Sequence, residues 1–321
     1  MPAWGPTMTS VTADRADAPT GAPKPYKRRN WVPYALLAPG MIWLTIFFVL
    51  PTLSLASQSL QTGDVDNGYA LTWHWATYAD ALSRFFWPQM VRSLIYAGVA
   101  TALALLFGYP LAWFIAHRSG KWKTFLLVLV IAPFFTSFLI RTLAWQNILG
   151  NSGLLESTAS FTHLTFLLDW FKSGLRALHL ISTDQLMFSP FAVISGLTYN
   201  FLPFMVLPLY SNIERLDLRL VEAAGDLYAS PTQTFRKVIW PLSLPGVVAG
   251  TLLTFIPAAG DYINSVLLGN TQTVMIGQVI DSQFLRVLDY PTAAALSFIL
   301  MLIIIVIVMT YVRRAGTEEL L

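Results

Sequence analysis

From Trp31 to Leu60 the chain carries no Asp, Glu, Lys or Arg. A helix crosses a bilayer with about 20 mostly apolar residues, and such runs recur along this chain. Ser93–Ala116, Thr124–Ile140, Leu186–Ile213, Val238–Gly260 and Tyr290–Val312 are equally free of charge, and Thr124–Ile140 continues past a single Arg141 to Leu155. Only 12% of the 321 residues are charged and 55% are hydrophobic. A soluble domain carries about 25% charged residues to solvate its surface, so this chain lacks the charges for a soluble surface. The expected fold is an all-α, six-span polytopic bundle. Its spans fall at about 33–59, 93–117, 124–148, 187–212, 242–265 and 291–313. Pro39, Pro110, Pro133, Pro203 and Pro257 lie inside these runs. They are expected to kink the helices rather than interrupt them, because neighbours in a bundle satisfy the freed carbonyls.

An even number of spans places both termini on one side. Most of the 20 Lys and Arg cluster before span one (Arg15, Lys24, Lys27, Arg28, Arg29), between spans two and three (Arg118, Lys121, Lys123), between four and five (Arg215, Arg219, Arg236, Lys237) and after span six (Arg313, Arg314). The excess of basic residues on cytoplasmic loops therefore predicts cytoplasmic termini. Residues 1–30 read as a polar, disordered tail, 31–314 as the membrane domain and 315–321 as a short tail. The apolar run after Lys27–Arg29 is longer than a signal-peptide core, so the first span is expected to be retained. The opposite connections, 61–91, 156–185 and 266–289, are rich in Trp and Tyr. Such aromatics mark either the headgroup belt or a docking surface.

The loop between spans four and five, 214–241, carries the most local information. Asp217 is a candidate N-cap for a first helix through Ala229. Ser230, with Pro231 at the first helical position and Gln233 at the third, forms a capping-box pattern for a second helix. Pro241 is expected to end that helix, with Pro245 starting the fifth span. Glu222 and Asp226 share a helix face. Ala223 and Ala224 are small enough for a partner surface to come close. On these features alone the loop is either a docking element or an ordinary amphipathic interfacial segment.

Glu222-Ala223-Ala224, followed nineteen positions after the glutamate by Pro241, resembles the signature of permease subunits of ABC importers. Tyr228 stands where that family usually has glycine, and Val238-Ile239-Trp240-Pro241 replaces its Ile-x-Leu-Pro. The runs Pro33–Gly40, Ala132–Phe135 and Leu202–Ser211 look like the spermidine/putrescine permeases in particular. The resemblance covers about residues 31–313. It implies a type I importer permease fold in a bacterial cytoplasmic membrane, with Glu222, Ala223, Ala224, Gly225, Asp226, Ser230, Pro231 and Pro241 coupling it to an ATPase. It also implies the partners: two ATPase subunits that use ATP and Mg, a second related permease, an external solute-binding protein, and a polyamine as solute.

The chain itself shows no phosphate loop, since Gly120-Lys121 has Ile115 where the first glycine would stand. No cofactor is expected on this chain, and nothing suggests a nucleic-acid partner. It has no cysteine, and its four histidines are scattered without ligand spacing, so neither a metal site nor a catalytic triad is expected. Charged groups inside a membrane are candidates for function. Asp261, with Tyr262, Tyr199, Asn200 and Trp145, suits a path for a flexible cation, because aromatic faces attract cations. Asp261 can equally sit at the span end or pair with Arg141. The alternative function is a self-sufficient, proton-coupled secondary transporter using Asp261.

Overall fold

The computed structural model describes residues 31–82, 86–150, 153–162, 165–181 and 185–314. The expected tails 1–30 and 315–321 lie outside these. Its internal contacts divide the chain into two units between Thr52 and Leu53. The first apolar run forms α1 (Val32–Leu44), a π-helical turn at Thr45–Val49 and α2 (Leu50–Gln58). Pro39 lies within α1 without ending it.

A hairpin follows, which the sequence reading did not foresee. Strand β1 (Gln61–Asp64) pairs antiparallel with β2 (Gly68–Leu71), in register from Gln61↔Leu71 to Asp64↔Gly68. The Asp64 carboxylate accepts from the Asn67 amide (2.7 Å), and Gly68 takes φ +82°, a conformation natural to glycine. After α3 (Ala76–Ala81), α4 (Trp87–His117) forms the second span. Pro110 lies inside it.

The third span is not continuous. A 3₁₀ turn at Gly120–Trp122 leads into α5 (Lys123–Ile131) and a second 3₁₀ turn at Ala132–Phe135. Thr136 and Ser137 are then extended (ψ 147° and 136°) before α6 (Phe138–Leu149) begins. The expected single span 124–148 is thus broken behind Pro133. Two short helices, α7 (Leu154–Phe161) and α8 (Thr165–Ala177), come next. Glu156 bridges to Lys172 between them (2.8 Å).

Helix α9 (Pro190–Ile213) is the axis of the bundle. Ser189 caps it, accepting from the Ala192 amide, with Pro190 in the first turn. Pro203 and Pro208 stay inside it. Next come α10 (Leu218–Asp226), α11 (Pro231–Thr234), a π-helical turn at Phe235–Ile239, and α12 (Trp240–Ala259). The expected stop at Pro241 does not occur, since helical structure runs from Pro231 to Ala259. Proline disturbs a regular helix because it lacks an N–H and clashes with the carbonyl four residues back. The π turn directly before Pro241, closed by the Trp240 amide on the Phe235 carbonyl, relaxes that register. Helix α12 then stops at Gly260 rather than near 265. The chain resumes as α13 (Ile263–Leu268), α14 (Ile276–Ser282), a π-helical turn at Gln283–Val287, and α15 (Tyr290–Arg314).

Small residues explain how α9 is gripped. Ala97, Ala100, Ala104 and Ala112 on α4 are buried, and α4 packs along α9. A Cβ added at Gly108 would lie 3.2 Å from the Met205 side chain. On the other side, a Cβ at Gly246 would lie 2.7 Å from the Asn212 Cβ, and one at Gly250 would lie 2.8 Å from the Met205 Sδ. The Gly246-x-x-x-Gly250 spacing therefore sets close helix packing, as small residues do where lipid offers no hydrophobic drive. Gly250→Leu is expected to cost about 1–3 kcal/mol by overpacking and to lower the Tm of the purified chain. An unchanged Tm would show that the contact is soft.

Candidate functional site

The loop after α9 builds an elbow from local rules. Asp217 caps α10, its carboxylate accepting from the Arg219 amide (3.0 Å). Ser230 and Gln233 form the reciprocal capping box: the Gln233 amide donates to the Ser230 Oγ (3.3 Å), and the Ser230 amide donates to the Gln233 side-chain oxygen (3.0 Å). Glu222, Ala223, Gly225 and Asp226 are exposed on α10, and Ala224 is half-buried. A Cβ added at Gly225 meets nothing within 4 Å. At the loop's start Lys123 grips Glu214. That hydrogen bond, helped by the Tyr210 hydroxyl, holds the Glu214 carboxyl below the usual carboxylate range.

Tyr228 sits at the corner of the elbow. The Ala229 amide reaches back to the Ala224 carbonyl (3.0 Å) and the Tyr228 amide to the Gly225 carbonyl (2.9 Å), a closure that puts the intervening residue in the left-handed region. Tyr228 accordingly has φ +59°, and its side chain is 97% exposed. The turn that glycine would make is therefore made here by tyrosine, against its steric preference. The left-handed conformation costs a non-glycine residue about 1–2 kcal/mol, and glycine's extra freedom in the unfolded chain returns about 0.4–1 of that. Tyr228→Gly is therefore expected to slow hydrogen exchange at the Ala229 amide severalfold. Exchange that stays unchanged or speeds up would contradict it.

The second candidate region divides into two parts. Asn200 on α9 is buried, and its amide nitrogen donates to the Thr142 hydroxyl of α6 (3.3 Å) and to the Asn264 Oδ1 of α13 (3.1 Å). The Asn264 side-chain nitrogen and backbone amide both donate to the Asp261 Oδ1 (3.1 and 2.8 Å). A polar thread thus joins α6, α9 and α13 through Asn264, a residue the sequence reading did not single out. Its signal was the spacing Asp-x-x-Asn after a glycine, an Asx-type cap in which the aspartate side chain takes an amide three residues on. Close contacts fix the break: a Cβ at Gly196 would lie 2.7 Å from the Asn264 Oδ1, and one at Gly277 would lie 2.4 Å from the Gly260 carbonyl oxygen.

Trp145 and Tyr199 belong elsewhere. Their rings meet edge to face at 5.6 Å, and both line an apolar cavity of about 510 Å³ with Leu103, Phe107, Phe171 and Phe191. Tyr199 and Asn200, adjacent in sequence, thus point to different surroundings. Tyr262 is exposed and shares neither cluster, although it follows Asp261 directly. Arg141 does not pair with Asp261. Its Nε and one terminal nitrogen find no hydrogen-bond partner among the described residues, and the guanidinium lies over the Phe138 ring at 5.4 Å. Among the described residues no group of His, Cys, Asp and Glu has metal-binding geometry.

Five helices long and apolar enough to cross a membrane, a sixth broken span and a capped elbow between two of them define a multi-spanning membrane protein. Residues 108–315 match the binding-protein-dependent transport system inner membrane components, and the chain belongs to this family. It is thus a permease subunit of an ABC importer, in which separate subunits hydrolyse ATP. It is 40% identical to the spermidine/putrescine transport system permease protein PotB of Escherichia coli K12 over 274 residues, covering 85% of this chain and 94% of the relative. The PotB protein of Haemophilus influenzae is 37% identical over 271 residues, covering 84% and 90%. In fold it is similar to a chain of a bacterial ABC transporter that imports the acidic polysaccharide alginate, with a TM-score of 0.63, 21% identity, and coverage of 90% of this chain and 97% of that one.

Proposed function

We propose that this chain is one of two related permeases that together line the path of an ATP-driven polyamine importer, served by two ATPase copies and an external binding protein. Both termini and the elbow 214–241 face the cytoplasm, and the elbow is the surface on which an ATPase docks. The observation that carries the polyamine reading is identity at the 40% level along most of the chain to relatives named for spermidine and putrescine. The docking reading rests on α10, which presents Glu222, Ala223, Gly225 and Asp226 outward on a helix capped at its start.

Trp145, Tyr199, Asn200, Asp261 and Tyr262 are the proposed path residues. The Asp261 carboxylate makes no ion pair among the described residues, so its charge remains available to a cationic solute. Asp261→Asn keeps the cap, because an amide oxygen can still accept both Asn264 donors, and removes only the charge. It is expected to slow putrescine uptake severalfold without loosening the ATPase. Unchanged uptake kinetics would take Asp261 out of the path.

The class test uses cells that lack their own polyamine uptake. This chain, expressed with its ATPase, second permease and binding protein, is expected to restore spermidine and putrescine accumulation. A hydrolysis-dead ATPase should abolish it. Uptake that persists with the dead ATPase would overturn the reading and point to a proton-coupled carrier using Asp261.

A further inference from the structure

Where the elbow meets the bundle, three rings close on one another. Tyr109 of α4 meets Phe235 edge to face at 5.7 Å and Trp240 at 5.6 Å, while Phe235 and Trp240 are 6.1 Å apart. Phe235 lies in the π-helical turn and Trp240 opens α12, so both belong to the segment leading out of the elbow. Tyr109 belongs to a different span. Its hydroxyl donates to the Ser243 Oγ (2.9 Å), which in turn donates to the Trp240 carbonyl (2.9 Å). Tyr109 is 8% exposed and Ser243 is fully buried, so the bond between them is shielded from water.

Two features make this contact a joint rather than a patch of core. Pro110 follows Tyr109 directly inside α4. It has no N–H to donate to the Leu106 carbonyl, so the helix is weakest at this point. The π turn on the other side is the irregular stretch of the elbow's second helix. Each partner therefore yields where it touches the other. Beside them a cleft of about 680 Å³, lined by Tyr109, Trp113, Phe114, Arg118, Phe235 and Ile239, leaves room for displacement. Helix α10 packs on α11 and on the π turn, so a push on α10 is passed to the segment that carries Phe235.

We propose that Tyr109, Phe235 and Trp240 are positioning residues that hand the elbow's movement to the second span, bending α4 at Pro110. The inference rests on the reading of the elbow as the ATPase-docking surface, and it adds α4 to the moving parts. The ring contacts carry the load, and the Tyr109–Ser243–Trp240 bonds keep the rings in register.

The test is the ratio of solute moved to ATP hydrolysed, measured on the whole transporter in proteoliposomes with putrescine. Co-purification of the ATPase and thermal unfolding are followed in parallel. Phe235→Leu is expected to lower the ratio about tenfold, within the range of the two aromatic pairs it removes. Tyr109→Phe keeps the ring but loses the bond to Ser243, and is expected to lower the ratio about threefold, within the range of one neutral hydrogen bond. Phe235→Tyr should restore most of the coupling. In all three the ATPase should co-purify as with the unaltered chain.

An unchanged ratio in Phe235→Leu and Tyr109→Phe, with normal co-purification, overturns the joint alone. Transport and hydrolysis that fall together, in step with the complex recovered, mark the rings as structural and overturn it as well. An unaltered chain that never brings down the ATPase overturns the docking reading, and the joint with it.

Discussion

Gly225→Asp is expected to abolish ATP-driven uptake while leaving the amount of chain in the membrane unchanged. Within this chain the substitution is tolerated: a Cβ at Gly225 meets nothing within 4 Å. A carboxylate in the last turn of α10 opposes the helix dipole by about 0.3–1 kcal/mol. Replacing the glycine returns part of that, since aspartate is a better helix former than glycine by roughly 0.3 kcal/mol. The net effect on folding is therefore below about 1 kcal/mol. A surface docked against Ala223, Ala224 and Gly225, by contrast, would meet a new bulky charge where it needs contact. A hundredfold loss of uptake corresponds to about 2.7 kcal/mol, more than anything the isolated chain would lose. The measurement is uptake per inserted molecule, with co-purification of the ATPase as a second readout. Uptake within twofold of the unaltered chain would mean that no partner approaches this face. Glu222→Ala tests the same face through a lost side chain rather than an added one.

The helix starts of the elbow were legible, because their caps are set by neighbours in sequence, whereas α10 ends at Asp226 and not at the expected Ala229. The Ser230–Gln233 box and the Asp217 cap are contacts across two or three residues, and local rules suffice for them. Helices α4, α9 and α15 were legible for another reason: long uncharged runs leave no other structure in lipid. What composition could not show is where an apolar run breaks. Thr124–Ile140 reads as one span, yet Thr136 and Ser137 are extended. Gly260 interrupts what looked like a fifth span to 265. Hydropathy is blind to the first, because the residues on either side of it remain apolar, and only Asp261 marks the second. Pro241 failed as a stop signal because a π turn, invisible to periodicity, absorbed the strain that a proline imposes. The interior site was legible only as an inventory. Asp261, Asn200, Tyr199 and Trp145 could be named as polar or aromatic residues inside spans. That Asn200 and Asp261 meet through Asn264 while Trp145 and Tyr199 face an apolar cavity depends on rotation about α9 and on a six-residue helix, α13.

The same thread makes Asn264→Leu the most damaging conservative-volume change expected inside the bundle. Leucine has the same branched skeleton as asparagine but carries two bulkier methyls in place of a planar amide, and Gly196 opposite leaves no slack, since even a Cβ there would come within 2.4 Å of Leu268 and 2.7 Å of the Asn264 Oδ1. The substitution removes one of the two donors to the Asp261 carboxylate and the acceptor for Asn200. A hydrogen bond to a buried charged group is worth about 1.5–3 kcal/mol. A neutral side-chain bond between membrane helices averages only about 0.6 kcal/mol. The total, about 2–4 kcal/mol, is thus dominated by the carboxylate, not by the asparagine pair. That attribution can be checked against Asp261→Asn, which removes the charge and keeps the geometry. If the stranded carboxylate is the cause, the double variant Asp261→Asn/Asn264→Leu should be more stable than Asn264→Leu alone, because breaking a buried polar pair from one side leaves an uncompensated charge. Thermal unfolding of the four proteins in one detergent gives the cycle, with a coupling of about 1–2 kcal/mol expected for residues in direct contact. Strictly additive losses would mean that Asp261 is solvated by other means and that the break after Gly260 is held by packing alone.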